Sequence, residues 1–269
     1  MVMVIVVKAG GRALDKNING IVRGIANVVD RDKIVFIHGG GDAVTETCRK
    51  LGIEPKFVVS PEGIRSRYTD ENELEVYVMV MAGKINKAIV SRLVMFNVKA
   101  IGISGADGPT LIAERKKRIV IVDEKGRKRV IDGGYTGKII RVETSLIQKL
   151  IDENYVIVVS PIAIDSEGTL LNVDGDQAAY AIAVALKANA LIMMSDVDGV
   201  MLDNSMVREI KTSDVDNIID KIGMGMNRKI MLAKKAVEEG VEKVVISSGL
   251  IEDPILNALR GGGTAIIRG

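Results

Sequence analysis

The sequence predicts an α/β fold built on a parallel sheet, and three observations carry that reading. Met3-Val4-Ile5-Val6-Val7 is an unbroken apolar run without polar alternation, the pattern of a strand covered on both faces. Similar runs recur at 34–37, 100–103, 191–194 and 244–246, and each leads into small, polar, flexible residues such as His38-Gly39-Gly40-Gly41. Strands that all end this way predict one shared rim, where open parallel sheets hold their ligands. Between the first two runs, Ile18, Ile21, Val22, Ile25, Val28 and Val29 recur at three and four residues, which predicts an amphipathic helix over 15–29 and completes a β-α-β unit.

The first strand delivers Lys8 into Ala9-Gly10-Gly11. Glycines there let the backbone approach an anion, with Lys8 beside it; on its own, the pattern also fits a lysine snorkelling at an ordinary turn. After His38-Gly39-Gly40-Gly41, Val44, Cys48 and Leu51 mark a second helix whose N-terminus faces the rim, a ready anion site. His38 is the only histidine; a buried strand end favours a backbone-bonding role over that of a general base.

The segment 60–70 reads as a polar loop carrying Arg65 and Arg67, followed by a helix over 72–96. That helix is apolar nearly all round from Val76 to Ala82, which predicts burial in the core or against another subunit. Two short strands then flank Asp123-Glu124-Lys125-Gly126 as a hairpin rich in Lys and Arg, at 116–118, 125 and 127–129. Such a run is usually a solvated face. Thr144 or Ser145 is the expected cap of a helix through Glu153.

A second hairpin, turning at 165–168, leads to Asn172-Val173-Asp174-Gly175-Asp176-Gln177 and an apolar helix over 178–186. Asn172, Asp174 and Asp176 share one face of an extended segment, as functional groups or as caps. Ser195-Asp196-Val197-Asp198-Gly199-Val200 follows the next strand, and a short helix starts from Asp214. After Gly223-Met224-Gly225, the residues Met226, Ile230, Ala233 and Val237 form the seam of a helix that stops before Gly240. Arg228 and Lys229 in its first turn oppose the helix dipole unless an anion sits in front of them.

Composition narrows the chemistry. A chain of 269 residues with 47% hydrophobic and only 3% aromatic residues, no Trp and a net charge of +2 is neither a base-stacking platform nor a general polyanion binder. No apolar run reaches membrane-spanning length, and a cytoplasmic location without leader or anchor is expected. The single cysteine, Cys48, excludes an internal disulfide. With one His and one Cys, neither a transition-metal cluster nor a Cys-His nucleophile is expected. There is no Walker A motif and no G-x-G-x-x-G after a strand. Lys8 and Lys229 on glycine-flanked rims with Asp176 between them fit phosphoryl transfer, which needs positive charge on the phosphoryl oxygens and reactants held in line.

Taken together, Lys8-Ala9-Gly10-Gly11, His38-Gly39-Gly40-Gly41, Asn172-x-Asp174-x-Asp176-Gln177, Ser195-Asp196-Val197-x-Gly199 and Lys229 resemble the amino acid kinase family over nearly the whole chain. The resemblance implies a three-layer α/β/α sandwich with a central, mainly parallel open sheet. It also implies two lobes: 1–186 for acceptor binding and dimerisation, and 187–269 for ATP. The implied reaction is transfer from ATP, with Mg²⁺, to a side-chain carboxylate, giving an acyl phosphate. Catalytic roles fall on Lys8, Lys229 and Asp176, with acceptor binding by Gly40, Gly41, Arg67 and Asn172. Arg65 is the alternative to Arg67 as the grip on the acceptor's α-carboxylate. The resemblance puts nucleotide contacts at Gly10, Gly11, Ser195, Asp196, Val197 and Gly199, and assigns no metal ligand to the protein.

Ser66-Arg67-Tyr68-Thr69-Asp70 and the Asp at 174 match the branch that acts on 2-aminoadipate or glutamate carried through the α-amine on the acidic protein LysW, rather than on free N-acetylglutamate. The basic hairpin then has a purpose in steering the carrier. The resemblance also implies a homodimer, as for many relatives, with the apolar mid-section of the 72–96 helix expected to pair across a two-fold axis. A non-catalytic amino acid or nucleotide sensor is the alternative on the same fold.

Overall fold

The computed structural model describes residues 2–203, 205–223 and 225–269. Its centre is an eight-stranded sheet in the order Glu209–Lys211, Thr264–Ile267, Lys243–Ser248, Ala190–Ser195, Val4–Ala9, Lys33–His38, Val156–Ser160, Ala100–Ser104. The six strands from Lys243–Ser248 to Ala100–Ser104 run parallel, and Thr264–Ile267 is antiparallel to its neighbour Lys243–Ser248. In register, Ala9 stands beside His38 and Met194, Ser195 beside Ser248, and Ser160 beside Ser104. The expected common rim of glycine and serine ends is therefore present.

Alternate residues of the same strands feed two separate cores, because successive side chains of a strand point to opposite faces. Ile5, Val7, Ala9 and Phe36 pack with the helices Gly11–Ala26 and Asn86–Met95. Val6, Val35, Ile37 and Ile157 pack on the other side with Gly175–Ala185 and Met226–Glu238. Both faces of these strands are dry, which is why the runs lack polar alternation. This is the three-layer sandwich, and its one sheet takes strands from both 1–186 and 187–269. Beside it lie a four-stranded sheet, containing Ile162–Ile164 and Leu170–Asn172, and three two-stranded ribbons.

Four local expectations are corrected. The first helix occupies Gly11–Ala26 rather than 15–29, beginning directly after the strand with Gly10 as an extended N-cap. Asn17 breaks its regularity at φ −146°, donating from Nδ2 to the carbonyls of Gly249 and Ile251 at 2.9 and 2.7 Å. The polar loop at 60–70 contains a strand, Arg65–Tyr68, paired antiparallel with Lys56–Val59. The β-branched Val58-Val59 and the turn at Gly63, with φ +79°, were the overlooked signals. Ser205–Val207 pairs with Val200–Leu202 as a further unforeseen hairpin. Thr144 stands at the expected boundary, before Ser145–Asp152, without a side-chain cap bond. Met224 lies outside the described residues.

The expected long helix is continuous from Glu71 to Met95, but Met79–Ile85 is a wide π segment. Met81 there leaves its carbonyl to accept from Ser160 Oγ at 3.1 Å, and Asn86 Nδ2 donates to Val158 O at 2.9 Å. A widened turn is thus stitched to a sheet strand by buried side chains. Val76, Tyr77, Val80 and Met81 are buried, whereas Met79, Val94, Met95 and Phe96 are exposed.

Candidate active site

Strand Val4–Ala9 is hydrogen-bonded between Lys33–His38 and Ala190–Ser195, so Lys8 emerges at the centre of the rim. The glycine turns after the first two strands touch backbone to backbone: Gly39 N–H donates to Ala9 O at 2.8 Å. A Cβ on Gly39 would lie 2.7 Å from Gly11 N, closer than any side chain tolerates. Helices Gly11–Ala26 and Gly41–Lys50 start there with glycine N-caps and no side-chain cap bonds, leaving first-turn N–H groups for an anion.

Asp174 caps helix Gly175–Ala185, accepting from Gln177 N–H at 3.0 Å. Capping is one role of the 172–176 run, and Asp176 has another. Its carboxylate lies between Lys8 Nζ at 2.7 Å and Lys229 Nζ at 2.5 Å, joining the first strand to the first turn of Met226–Glu238. The dipole-opposing lysine has found its anion. Burial alone would raise the Asp176 pKa, but the two ammonium groups override it and hold the carboxyl well below its usual range. Burial, with Lys8 adding to it, lowers the Lys229 pKa, and Asp176 offsets only part of this. Two cations on one anion leave a net charge of +1 in a sheltered place. Such a site favours a further negative group arriving from outside. Arg228 pairs with Asp174 at 3.3 Å beside it, a contact the sequence did not reveal.

On one side of Lys8 opens a cleft of about 650 Å³ whose lining includes Gly40, Gly41, Arg65, Arg67, Asn172 and Asp174. Asn172 Nδ2 donates to the buried Thr69 Oγ1 at 2.8 Å, which fixes the amide plane. Arg67 is less free than expected. It pairs with Glu73, which is 1% exposed, and donates to Gly41 O at 2.8 Å and to Thr45 Oγ1. Neither Glu73 nor Thr45 carried a sequence signal. Arg65 stands over Phe57, with Cζ 3.8 Å from the ring centroid.

The residues expected to contact nucleotide stand at the neighbouring strand end. Gly10 N–H donates to Met194 O at 3.2 Å, and Arg12 pairs with Asp196 at 3.5 Å. Ser195, Asp196, Val197 and Gly199 are therefore next to Gly10 and Gly11, and apart from the lining of the acceptor-side cleft. His38 is enclosed: Nδ1 meets Gly39 O at 3.0 Å and Nε2 meets Ser160 Oγ at 3.1 Å. Burial pushes its pKa down to about 4, so the ring is neutral near pH 7 and holds the glycine turn. Among the described residues no group of three His, Cys, Asp or Glu side chains is placed to hold a metal, and no helix is long and apolar enough to cross a membrane.

The basic hairpin is formed by Arg118–Val122 and Lys128–Asp132. Asp123 organises its tip, accepting from the N–H groups of Lys125 and Arg127, both at 2.9 Å, and pairing with Arg129 at 2.7 Å. A groove of about 540 Å³ between this hairpin and Lys56–Val59 includes Lys116, Lys128, Ser66 and Arg67. Lys116 and Arg67 line the cleft beside Lys8 as well, so groove and cleft adjoin.

Comparison with known proteins gives the family of the chain. A LysW-aminoadipate/LysW-glutamate kinase of Sulfurisphaera tokodaii is 52% identical over 264 residues, 98% of this chain and 100% of the relative. The kinase of the same name from Sulfolobus acidocaldarius is 54% identical over 263 residues, covering 97% and 99%. A solved protein of Streptococcus mutans superposes with a TM-score of 0.79 at 24% identity, covering 99% of both chains, a likeness of fold. The amino acid kinase family model matches residues 3–248, and this chain belongs to that family.

Proposed function

We propose that the chain is an ATP-dependent kinase that phosphorylates the side-chain carboxylate of 2-aminoadipate or glutamate carried on a LysW-like acidic protein. The observation that carries this reading is the Asp176 carboxylate held between Lys8 and Lys229 at a rim of uncapped helix N-termini. ATP supplies the γ-phosphoryl group, and Mg²⁺ belongs with its phosphates rather than in a protein cage. Lys8 and Lys229 stabilise charge on the phosphoryl oxygens in flight, and Asp176 keeps both ammonium groups aimed. Gly10 and Gly11 present N–H groups to the phosphates, while Ser195, Asp196, Val197 and Gly199 border the nucleotide. Gly40, Gly41 and Asn172 hold the acceptor so that its carboxylate oxygen attacks phosphorus in line as the bond to the ADP oxygen breaks.

The names of the two archaeal relatives support the carrier, as does the groove between the hairpins. Lys116, Lys125, Arg127 and Lys128 have no ion-pair partner among the described residues, and this surface steers an acidic protein toward the cleft. ADP release is the deciding assay, with carrier-linked 2-aminoadipate, carrier-linked glutamate and free N-acetylglutamate compared at low and high salt. The linked substrates should win, and salt should erode their advantage. Equal use of free N-acetylglutamate would refute the carrier; no ADP release with any acceptor would leave a sensor.

The proposal includes a homodimer that covers the exposed end of the Glu71 to Met95 helix. Met95 there is 78% exposed and Phe96 40%, an apolar pair that a self-complementary contact would bury. Light scattering at micromolar concentration should give twice the chain mass, and Phe96→Glu should reduce it to one; a wild-type monomer would refute this assembly.

A further inference from the structure

Resting on the kinase reading above, we infer that His38 is a positioning residue for the acceptor turn: held as its Nδ1–H tautomer by Ser160 and Asn86, it turns the Gly39–Gly40 peptide so that Gly40 N–H faces the cleft. Counting protons fixes the tautomer. His38, Ser160 and Asn86 are fully buried, so their polar atoms must find partners within the protein. Burial lowers the His38 pKa to about 4, which leaves the ring one proton at neutral pH. Its Nδ1 lies 3.0 Å from Gly39 O, an atom that can only accept and that has no other donor among the described residues. The proton therefore sits on Nδ1, since the other tautomer would set two lone pairs against each other.

Nε2 is then an acceptor, and its surroundings agree. Ser160 Oγ is 3.1 Å away and has a single proton to divide between Nε2 and Met81 O, also at 3.1 Å. Met81 O can share it because the Asn86 backbone N–H already donates there. Asn86 Nδ2 donates to Ser160 Oγ at 3.1 Å and to Val158 O at 2.9 Å, which ties the three side chains to a central strand. Peptide geometry carries this order to the cleft. The C=O and N–H of one trans peptide point in opposite directions, and the Gly39–Gly40 bond is trans. Anchoring Gly39 O on the ring thus sends Gly40 N–H to the other side, where Gly40 lines the cleft beside Lys8. Gly39 N–H is already tied to Ala9 O, and among the described residues nothing accepts from Gly40 N–H. Behind the turn, Ile85 and Met81 stand where any side chain at position 40 would go. A donor fixed in this way and left unpaired is suited to charge that develops during transfer.

The chain has one histidine, so isotope-labelled histidine in the full chain gives a single imidazole to read. Its nitrogen shifts at neutral pH should show Nδ1 protonated and Nε2 bare; the reverse overturns the inference. Two amide variants separate position from bulk. In His38→Asn the side-chain NH₂ takes the place of Nδ1–H, whereas in His38→Gln it takes the place of Nε2 and leaves Gly39 O without a donor. With carrier-linked 2-aminoadipate, kcat/KM of His38→Gln should lie about 10- to 100-fold below that of His38→Asn, the scale of a displaced catalytic donor. KM for ATP should be alike in both. Equal losses in kcat/KM would mean that the ring only fills space, and would overturn the inference. The Gly40 amide resonance should move in His38→Gln and stay near its wild-type position in His38→Asn, a readout that needs no turnover. If no acceptor is phosphorylated, the kinase reading fails by itself, and that resonance together with the wild-type tautomer decides the role of His38. If neither variant folds, the wild-type tautomer decides it alone.

Discussion

Lys8→Ala is expected to lower kcat by about 10² to 10³, by analogy with loss of one preorganised donor to a developing negative charge. The reason is placement. Lys8 stands at the end of a strand hydrogen-bonded on both sides, so its Cα does not wander, and its Nζ is 2.7 Å from Asp176. The ammonium is aimed before substrates arrive, and little reorganisation remains for the reaction itself. ATP affinity should change much less than turnover, because the Gly10-Gly11 turn and the helix N-terminus behind it would still meet the phosphates. Lys8→Arg should not rescue the loss. The ammonium is a compact point charge 2.7 Å from Asp176, and a planar guanidinium on a differently shaped stem does not reproduce that placement. Steady-state kinetics with saturating acceptor measure both variants, and near-normal turnover by Lys8→Ala would remove the lysine from the mechanism. Lys229→Ala should cost a similar factor, and the double variant less than the product, since both charges serve one transition state.

Much of this was legible in the sequence, for reasons that differ by element. Central strands announce themselves because both faces are dry, so their residues are apolar without a break; Val4–Ala9 and Ala190–Ser195 are of this kind. Glycine turns announce themselves because close backbone packing between Gly39 and Gly11 admits nothing larger. Lys229 stood out through a conflict: a cation at a helix start needs a compensating anion, and Asp176 is that anion. What escaped notice depends on pairing at a distance. Arg65–Tyr68 is polar at three successive positions, without the alternation of a strand, and becomes one because Lys56–Val59 lies beside it. Arg67 reads as an open cation until Glu73, six residues on, is found buried against it. The π segment at Met79–Ile85 has the composition of any apolar helix, and its wide turn follows from partners on Val156–Ser160.

The Lys8–Asp176–Lys229 bridge also predicts how a neutral replacement fails. Asp176→Asn keeps the shape of the side chain but leaves two sheltered ammonium groups facing each other, and removing one partner of a buried ionic cluster costs about 3 to 5 kcal/mol. The loss should depend on pH in a definite direction. Lys229 already has a lowered pKa, from burial first and Lys8 second, with Asp176 as the restraint. Without that restraint it falls further. A base whose folded pKa is depressed destabilises the protein wherever both folded and unfolded chains carry the proton, and the penalty fades as pH rises through the folded value. The melting-temperature deficit of Asp176→Asn should therefore be largest at and below neutrality and shrink toward alkaline pH. Turnover moves the other way, because a deprotonated Lys229 no longer stabilises the phosphoryl oxygens, so the alkaline limb of kcat should begin at lower pH in the variant. In wild type, Asp176 has a folded pKa below its unfolded one. Its contribution is thus complete above the ordinary carboxylate range, and is lost only as pH falls through the depressed value. Thermal melts and kcat profiles between about pH 6 and 10 read both effects. A stability deficit independent of pH, together with an unmoved alkaline limb, would mean that Asp176 holds the two lysines by geometry alone and not by charge.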